Sequence, residues 1–392
     1  MTTTLRFDPF DPGILEDPYP WYRWLRQNAP CYYAEERDLY VVARHAEALA
    51  VLRDATTFSS AQGITYGEGI DANLGIVTTD PPHHGHLRKI VSRSFAPKAV
   101  QARAEAVAEL VDTLVESALE AGTVDVVQAF SLPLPTTIIS EILGVPTSDR
   151  EKFRRWSIAI IELFDDRAGP EERVAAEAER DECRDYLRAL IDERKGDDER
   201  TDIISTLLSA EGGGALTPRE TLAFAMTLLV AGNETTGNAI SNGLAALLHH
   251  PDENRRLVDD PSLVASAIEE SLRYDAAVQG FTRVATRDTT IAGVAVPRDA
   301  RVLVLFGSAN RDSELFEDGD TFRIDRNPRG FLAFGAGPHT CIGAPLARME
   351  MQALWSRLLE RTSAILPTEN EKRHSTPFHR GVDEFVVQFS PR

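Results

Sequence analysis

Apolar residues recur along most of this chain at the spacing of a helix with one buried face. Strand-like runs of β-branched residues with turn residues between them are confined to residues 282–306 and to the segment DEFVVQF near the end of the chain. Longer helices are predicted over roughly 98–120, 136–143, 148–163 and 172–195. The pattern therefore predicts a mainly α fold with a minor antiparallel β region.

Shorter elements are predicted nearer the N-terminus. A helix is expected in DPYPWYRWLRQNAP, and a strand followed by a helix is expected in LYVVARHAEALAVLRD. Asp80-Pro81-Pro82 predicts a helix start, with Asp80 as the N-cap and proline in the first helical position. Residues 60–75 hold four glycines with little periodicity, and residues 164–172 are charged and contain a glycine, so both are predicted as loops.

The longest apolar helical segment runs from Thr221 to Leu248 and has clear ends. Residues 217–220 read Thr-Pro-Arg-Glu, a capping box with proline in the first helical position, and Pro251 follows the last turn. A helix that is apolar on nearly every side is expected to be buried. Its centre at residues 232–236 nevertheless reads Gly-Asn-Glu-Thr-Thr.

This polar centre has two interpretations. Threonines inside a helix often bond back to the carbonyls of their own helix, and a glutamate can pair with a buried base. Five such residues together are harder to explain in this way, because an unpaired buried carboxylate is costly. Gly232 also allows the helix to bend or widen locally, as helices do at functional sites. We therefore expect the patch to be functional and to have a partner elsewhere in the chain.

Composition narrows the class of protein. Hydrophobic residues make up 43% and charged residues 26% of the 392 residues, and no linker-like stretch occurs, so a single globular domain over residues 1–392 is predicted. Because 61 acidic residues outweigh 42 basic ones, a nucleic-acid-binding role is not expected. No signal-peptide pattern and no stretch of about 18 apolar residues occur, which predicts a cytoplasmic protein that does not bind a membrane. The three cysteines are far apart, so no disulfide framework is expected.

One cysteine, Cys341, lies in the segment FLAFGAGPHTCIGAPLARMEM at residues 331–351. Glycines and Pro338 predict a tight loop around it, and a helix is expected to begin near Ala344, where its N-terminus would stabilise a thiolate. A lone cysteine on such a turn is most often a buried structural residue. A zinc site is disfavoured, because only His339 stands nearby and no second Cys or His pair has the spacing of zinc ligands. A nucleophilic cysteine stays open.

The spacing F-G-x-G-x-H-x-C-x-G is more specific than these ideas, and through it the chain resembles the cytochrome P-450 family of haem-thiolate monooxygenases. The positions of that family's haem-binding loop are filled by Phe334, Gly335, Gly337, His339, Cys341 and Gly343. The resemblance implies that Cys341 is the axial thiolate ligand of the iron in haem b. It runs from about Asp11 to Phe389 and implies that the haem lies between a long central helix and the helix after the cysteine loop.

The resemblance also gives the polar centre of the long helix a role. Residues 231–236 match the family's distal oxygen-binding motif. This match implies that Gly232 leaves room for dioxygen, that Thr235 forms a hydrogen bond to it and that Glu234 relays protons from solvent. An acid next to an alcohol suits this task, because cleavage of the O–O bond consumes protons. The other two polar residues of the motif, Asn233 and Thr236, are expected to have supporting roles.

Two further groups match the family. The family's structural Glu–Arg–Arg triad is matched by Glu270, Arg273 and Arg326. The positions that bind the haem propionates are matched by His84, Arg88, Arg283 and His339, with Phe334 and Gly335 as further cofactor contacts. His84 and Arg88 are four residues apart and share a helix face, whereas His83 and His86 are expected to be solvated.

The function implied is a monooxygenase that inserts one oxygen atom of O2 into a small, largely apolar organic substrate, by hydroxylation or oxidative demethylation. The substrate-lining positions of the family are matched by Thr65, Leu228, Leu229, Val278, Gln279 and Phe281, and Ser60 and Tyr66 are further candidates to orient a polar group. Neither fold nor motif indicates which substrate is oxidised.

The chain ends about 50 residues after Cys341 without a flavin or iron–sulfur segment. The resemblance therefore implies a monomer that receives electrons from a ferredoxin and an NAD(P)H-dependent ferredoxin reductase. A basic patch for the acidic ferredoxin is expected from Arg88, Lys89, Arg93, Lys98 and Arg348. Scattered solvated charge explains these residues equally well.

Two other functions stay open. One is an H2O2-driven peroxygenase, which the presence of the acid–alcohol pair disfavours. The other is a non-enzymatic haem-thiolate carrier or sensor, which would have no use for that pair.

Overall fold

The structure is a computed structural model that describes residues 6–66, 75–163, 169–195, 202–208, 216–368 and 371–392. Helices dominate it, as the hydrophobic pattern predicts. In chain order they are α1 (Pro12–Glu16), α2 (Tyr19–Asn28), α3 (His45–Arg53), α4 (His83–Val91), α5 (Pro97–Gln101), α6 (Ala104–Ala121), α7 (Pro133–Leu143), α8 (Arg150–Glu162), α9 (Pro170–Arg194), α10 (Ile203–Leu208), α11 (Pro218–Leu248), α12 (Pro251–Asp259), α13 (Val264–Tyr274), α14 (Phe306–Ala309) and α15 (Ala344–Arg361).

The strands are short. They are β1 (Cys31–Ala34), β2 (Leu39–Val42), β3 (Phe58–Ser59), β4 (Thr123–Asp125), β5 (Gly280–Ala285), β6 (Thr289–Ile291), β7 (Val294–Val296), β8 (Arg301–Leu305), β9 (Thr362–Pro367), β10 (Lys372–Ser375), β11 (Arg380–Glu384) and β12 (Val386–Pro391).

The chain divides into two compact units. The first consists of Met1–Tyr66, Ser241–Cys341 and Asn370–Phe385, and the second of Gly67–Ile240, Ile342–Glu369 and Val386–Arg392. The first unit holds most of the strands, and the second holds the longer helices together with a small antiparallel sheet of order β4-β12-β9. The prediction of a single domain stays a prediction.

The largest sheet lies in the first unit and has the strand order β1-β2-β8-β5-β3. Its pairs are antiparallel except β2 with β8, which run parallel, so the sheet is mixed. Val302 and Val304 of β8 belong to one buried cluster, and Leu303 and Leu305 belong to another. Because both faces of the sheet are covered, β8 is apolar at successive positions instead of alternating.

Helix α11 begins and ends as the sequence predicts. The N–H of Thr217 donates to Glu220 Oε2 at 2.9 Å, and the N–H of Glu220 donates to Thr217 Oγ1 at 3.2 Å, which is the reciprocal pair of a capping box. The helix then runs for 31 residues to Leu248, and α12 begins at Pro251.

The predicted start of α4 is wrong. The helix begins at His83 with Pro82 in the cap position, and the N–H of His84 donates to Asp80 O at 3.0 Å in the turn before it. Consecutive prolines supply no N–H groups and disfavour helical geometry in the residue that precedes them.

Two other boundaries also differ from the prediction. The segment 98–120 is two helices, because the side chain of Arg103 donates to Ala99 O at 2.6 Å and closes α5 before α6 begins. The C-terminal strand is split at Phe385, where the chain passes from the β10–β11 pair to the sheet of β12. Of the two predicted loops, residues 67–74 and 164–168 lie outside the described residues. No helix in the described part of the chain is long and apolar enough to cross a membrane.

Candidate active site

Cys341 lies on a loop of the first unit that is held by hydrogen bonds between its own backbone groups. Its backbone N–H donates to Phe334 O at 2.8 Å, and the N–H of Gly335 donates to Leu332 O at 2.8 Å. Gly335 and Gly337 have φ angles of 65° and 69°, in the left-handed region that favours glycine. The loop leaves Cys341 exposed, whereas the other two cysteines are buried. The interpretation of Cys341 as a buried structural cysteine is therefore wrong.

Gly337 is needed for a second reason, the packing of the loop against the end of α3. A Cβ at this position would lie 2.3 Å from Leu52 O and 3.0 Å from Arg53 Cα. Backbone atoms cannot move aside as a flexible side chain can, so only glycine allows this approach.

Two more of the predicted cofactor residues lie in the first unit. His339 Nε2 is 2.9 Å from Ser60 Oγ, and Ser60 is 1% exposed, so this serine pairs with the imidazole. Arg283 on β5 is 4% exposed and donates through Nη1 to Thr282 O at 2.7 Å. Both side chains are therefore held in place by neighbouring groups of the same unit.

Glu270 is the centre of a buried ionic network. Arg273 Nε lies 2.7 Å from Glu270 Oε2, with both side chains fully buried, and Arg326 Nε lies 3.1 Å from Oε1. Arg273 also donates to the carbonyls of Asn310 and Gly319, at 2.8 and 2.7 Å. Since breaking a buried pair leaves an uncompensated charge, this network holds α13 firmly to the irregular segment that follows α14.

In the second unit, the centre of α11 has an open face and a packed face. Ala231 is exposed, and Glu234 and Thr235 are half-buried, whereas Asn233 and Thr236 are buried. Thr235 Oγ1 donates to Ala231 O at 2.6 Å, which is the back-bond to its own helix. The open face therefore presents an oriented hydroxyl with a carboxylate next to it in sequence.

Helix α11 is α-helical from Pro218 to Leu248, including the turn at Gly232. A Cβ on Gly232 would lie 2.5 Å from Ile139 Cδ1, so a side chain of α7 packs against this glycine. That Gly232 leaves room for dioxygen stays a prediction. A Cβ on Gly237 would lie 2.5 Å from Ser131 O, in the turn that precedes α7. Both glycines serve the close approach of the two helices.

Sequence reasoning missed α7 as the partner of α11. Thr136 Oγ1 donates to Asn233 Oδ1 at 2.6 Å, and each residue is 5% exposed. The available signal was the pair Thr136 and Ser140, four residues apart in an otherwise apolar helix. Buried hydroxyls need partners, so such a pair marks polar contacts on a buried face.

The other two predicted propionate ligands lie in the second unit, on one face of α4. His84 is 2% exposed and Arg88 is half-buried. Burial, with a smaller contribution from Arg88, lowers the pKa of His84 below its usual value. His83 is more than half exposed, as expected, but it also lies 3.2 Å from Glu220 and so joins α4 to the start of α11.

The predicted substrate-lining residues differ in exposure. Val278 and Phe281 in the first unit are half-buried, while Thr65 is 7% exposed. Gln279 is fully buried, donates to Ala276 O at 2.8 Å and packs against Gly307, so its amide does not reach an open surface. In the second unit, the apolar positions Leu228 and Leu229 of α11 are buried.

His379, which sequence reasoning missed, lies beside two of these residues. Its ring is 5.9 Å from that of Phe281 in an edge-to-face arrangement, and its backbone bridges to Val278. It lies in the hairpin between β10 and β11, whose sequences KRHS and RGVDE are poor in strand-forming residues, so the local sequence carries little signal for it.

His, Cys, Asp and Glu side chains are the protein ligands that most often hold a metal ion. Within the described ranges, no group of three or more His, Cys, Asp or Glu side chains is arranged to hold a metal ion.

Comparison with known proteins identifies the family. The Cytochrome P-450 family model matches residues 26–388, so this chain belongs to the cytochrome P-450 family of haem-thiolate monooxygenases. It is 40% identical to the cytochrome P-450 monooxygenase PikC of Streptomyces venezuelae, over 88% of this chain and 84% of that protein. It is 34% identical to the beta-dihydromenaquinone-9 omega-hydroxylase of Mycobacterium tuberculosis, over 98% of this chain and 79% of that protein.

A solved structure gives the same result for the fold. CYP109E1 from Bacillus megaterium, in complex with corticosterone, matches with a TM-score of 0.85 and 34% identity, over 95% of this chain and 98% of that one. The mainly helical fold with small sheets is therefore that of the family, as predicted.

The residues present fit the cofactor that the family implies. The thiol of Cys341 is exposed on its loop, and a thiolate is a ligand that haem iron accepts. Arg283 and His339 are hydrogen-bonding cations or donors of the kind that carboxylates such as propionates require. Ala231 is an exposed small residue in the middle of a long helix that is otherwise largely buried, which is suited to lie against a large flat ligand.

Proposed function

We propose that this cytochrome P-450 inserts one oxygen atom of O2 into a small, largely apolar organic substrate, by hydroxylation or oxidative demethylation. The observation that carries the proposal is the exposed Cys341 at the end of its glycine loop. When bound, haem b supplies the activation of O2. Relatives named as a monooxygenase and a hydroxylase support the reaction class.

In this proposal, Cys341 is the thiolate ligand and the loop residues Phe334 and Gly335 contact the cofactor. The backbone N–H groups at the start of α15 favour the thiolate form of a cysteine that lies three residues before that helix. The propionates are bound by His84, Arg88, Arg283 and His339. The contact between Ser60 and His339 keeps the imidazole in one orientation.

Glu234 and Thr235 are proposed to deliver protons. The proton of the Thr235 hydroxyl points to Ala231 O, so the lone pairs of Oγ1 are free to accept a hydrogen bond on the open face of α11. Glu234 is half-buried and can exchange protons with solvent before passing them on. In this proposal Glu234 takes up protons from solvent, and the Thr235 hydroxyl positions them for delivery.

Electrons are proposed to come from a ferredoxin reduced by an NAD(P)H-dependent ferredoxin reductase. Lys89, Arg93 and Lys98 are exposed along α4, α5 and the turn between them, and none of the three pairs with a carboxylate in the described part of the chain. Arg88 and Arg348 extend this basic patch, the latter from α15, which packs against α5. A basic patch of this kind steers an acidic partner to this side of the unit.

The substrate is proposed to have an apolar body. The lining residues that support this are Leu228, Leu229, Val278 and Phe281. Similar proteins have been solved with corticosterone, with testosterone and with an acyl carrier protein that bears hexadec-9Z-enoic acid. These ligands share a long hydrocarbon framework, so steroids and fatty acids are the first compounds to examine.

Isotope labelling tests this proposal. The purified holoprotein is supplied with ferredoxin, reductase and NADPH under ¹⁸O2, and a panel of steroids and fatty acids is analysed by mass spectrometry. We expect a product that carries one ¹⁸O atom. A product formed at the same rate from H2O2 without the redox partners would favour a peroxygenase, and NADPH consumption without any oxidised product would favour a carrier or sensor.

A further inference from the structure

A buried hydrogen bond joins α7 to α11 one residue before Glu234. Thr136 Oγ1 donates to Asn233 Oδ1 at 2.6 Å, and both residues are 5% exposed. The same hydroxyl lies 2.6 Å from Leu132 O, one turn earlier on its own helix, so its single proton is shared between two acceptors. The bond is shielded from water, where hydrogen bonds are electrostatically stronger.

The position of Asn233 on the helix decides what this bond controls. An α-helix turns by about 100° per residue, so residues two apart point in nearly opposite directions. Ala231 and Thr235 each lie two residues from Asn233 and therefore share the face opposite to α7. The observed burial agrees with this geometry, because Asn233 is buried whereas Ala231 is exposed and Thr235 is half-buried.

Two close approaches lie on either side of this bond. Ile139 lies over Gly232, and Ser131 O lies over Gly237, both on the packed side of α11. A glycine presents a smooth surface that allows one helix to turn or slide against another. Between them, the hydrogen bond from Thr136 to Asn233 adds a directional contact.

We propose that Thr136 is a positioning residue for the proton-delivery step. By holding Asn233 it fixes the rotation of α11 about its axis, and so fixes where Thr235 and Glu234 stand on the open face. This inference rests on the proposed function of these two residues.

Purified holoprotein variants test the proposal. Thr136→Val removes the hydroxyl at nearly constant volume, Thr136→Ser keeps it, and Asn233→Ala removes the bond from the other side. Ser140→Ala is the matched control, because Ser140 is also buried on α7 but bonds to Thr136 O of its own helix. The measurements are product and H2O2 formed per NADPH, and backbone amide hydrogen exchange of residues 231–237.

We expect Thr136→Val and Asn233→Ala to lower product per NADPH by about threefold, because small misplacements of catalytic groups are costly. H2O2 should rise correspondingly, and amide exchange at 231–237 should become faster. Thr136→Ser and Ser140→Ala should match the wild type in both measurements.

Three outcomes would overturn the proposal. Thr136→Val and Asn233→Ala could couple NADPH to product as the wild type does. Ser140→Ala could uncouple as strongly as Thr136→Val, which would show that any buried hydroxyl of α7 has the effect. A wild-type protein that forms no product would overturn the proposed function, and the positioning role with it. The exchange rates would still show separately whether Thr136 holds α11 in place.

Discussion

The loop around Cys341 and the centre of α11 carry the two halves of the proposed chemistry, and they are built in different ways. The loop is held by bonds within a few residues, such as that from the N–H of Cys341 to Phe334 O. The centre of α11 is held by Thr136, which is 97 residues away from Asn233 in the chain. Short-range bonds therefore shape the turns that present the thiol, although the loop also packs on Leu52 and pairs with Ser60 through His339. The acid and the alcohol, in contrast, lie on a helix whose contact with α7 is long-range.

This difference leads us to expect that changes in the two regions affect different measurements. Changes in the loop should alter how much haem the protein retains and its spectrum. Changes on α11 should leave the spectrum intact and alter how NADPH is coupled to product.

The largest effect is expected from Gly337→Ala. A Cβ there would lie 2.3 Å from Leu52 O, and overpacking against backbone costs about 1–3 kcal/mol or more, so the variant should lose most of its haem. Gly330→Ala is the matched control, since Gly330 also has a positive φ, of 78°, but the nearest atom to its added Cβ is 4.0 Å away. Haem content per protein distinguishes the two, and equal loss would show that backbone strain alone is responsible.

On the helix side, Thr235→Ala is expected to keep the haem spectrum but to divert NADPH to H2O2. A positioned group that transfers protons typically contributes about 10²–10⁴-fold to the rate, so product per NADPH should fall by at least roughly tenfold. Glu234→Gln should also slow turnover, because the amide cannot deliver protons as the carboxyl group does. Thr113→Val is a control, because this exposed threonine of α6 makes the same back-bond to its own helix. Unchanged coupling in Thr235→Ala would mean that protons arrive by another route.

The acids of the two regions also differ. Glu234 is half-buried, whereas Glu350, on the helix that follows the loop, is 1% exposed and has no hydrogen-bond partner for Oε2 among the described residues. Burial raises the pKa of Glu350 to about 8, from 4.5. Between these two values the unfolded chain releases the proton and the folded protein keeps it, so this residue lowers stability increasingly as the pH rises.

Glu350→Gln should therefore stabilise the protein more at pH 7.5 than at pH 6, by about 2 kcal/mol in the free energy of unfolding. Below pH 4.5 the gain should vanish, because both states then keep the proton. Glu360→Gln on the same helix is the control, since Glu360 is exposed and paired with Arg357. Urea unfolding at a series of pH values measures the difference, and a gain that does not change with pH would contradict the account.

The smallest effect is expected from Gly232→Ala. The added methyl would meet Ile139 Cδ1, the flexible end of a side chain that can move at a cost of about 1–2 kcal/mol. Shortening the neighbour in the double variant Gly232→Ala, Ile139→Val should restore coupling and stability. A double variant that stays as impaired as the single one would show that Gly232 acts through something other than contact with α7.

How much the sequence could predict follows the same division. The capping box of Thr217 and Glu220 and the turns of the loop around Cys341 depend on residues that are neighbours in the chain. The local sequence therefore predicts them directly. The packing of Ile139 over Gly232, the parallel pairing of β2 with β8 and the place of His379 depend on segments far apart in sequence. A single sequence does not show which distant segments are in contact, so the packing of α7 against Gly232 could not be predicted from it.

The most direct test of the central claim, that Cys341 is the thiolate ligand of haem, is the carbon monoxide difference spectrum of the dithionite-reduced holoprotein. The account predicts a Soret band near about 450 nm for the wild type and its loss in Cys341→Ser. A freshly purified wild type with a band near about 420 nm, or a Cys341→Ser variant with an unchanged spectrum, would contradict it.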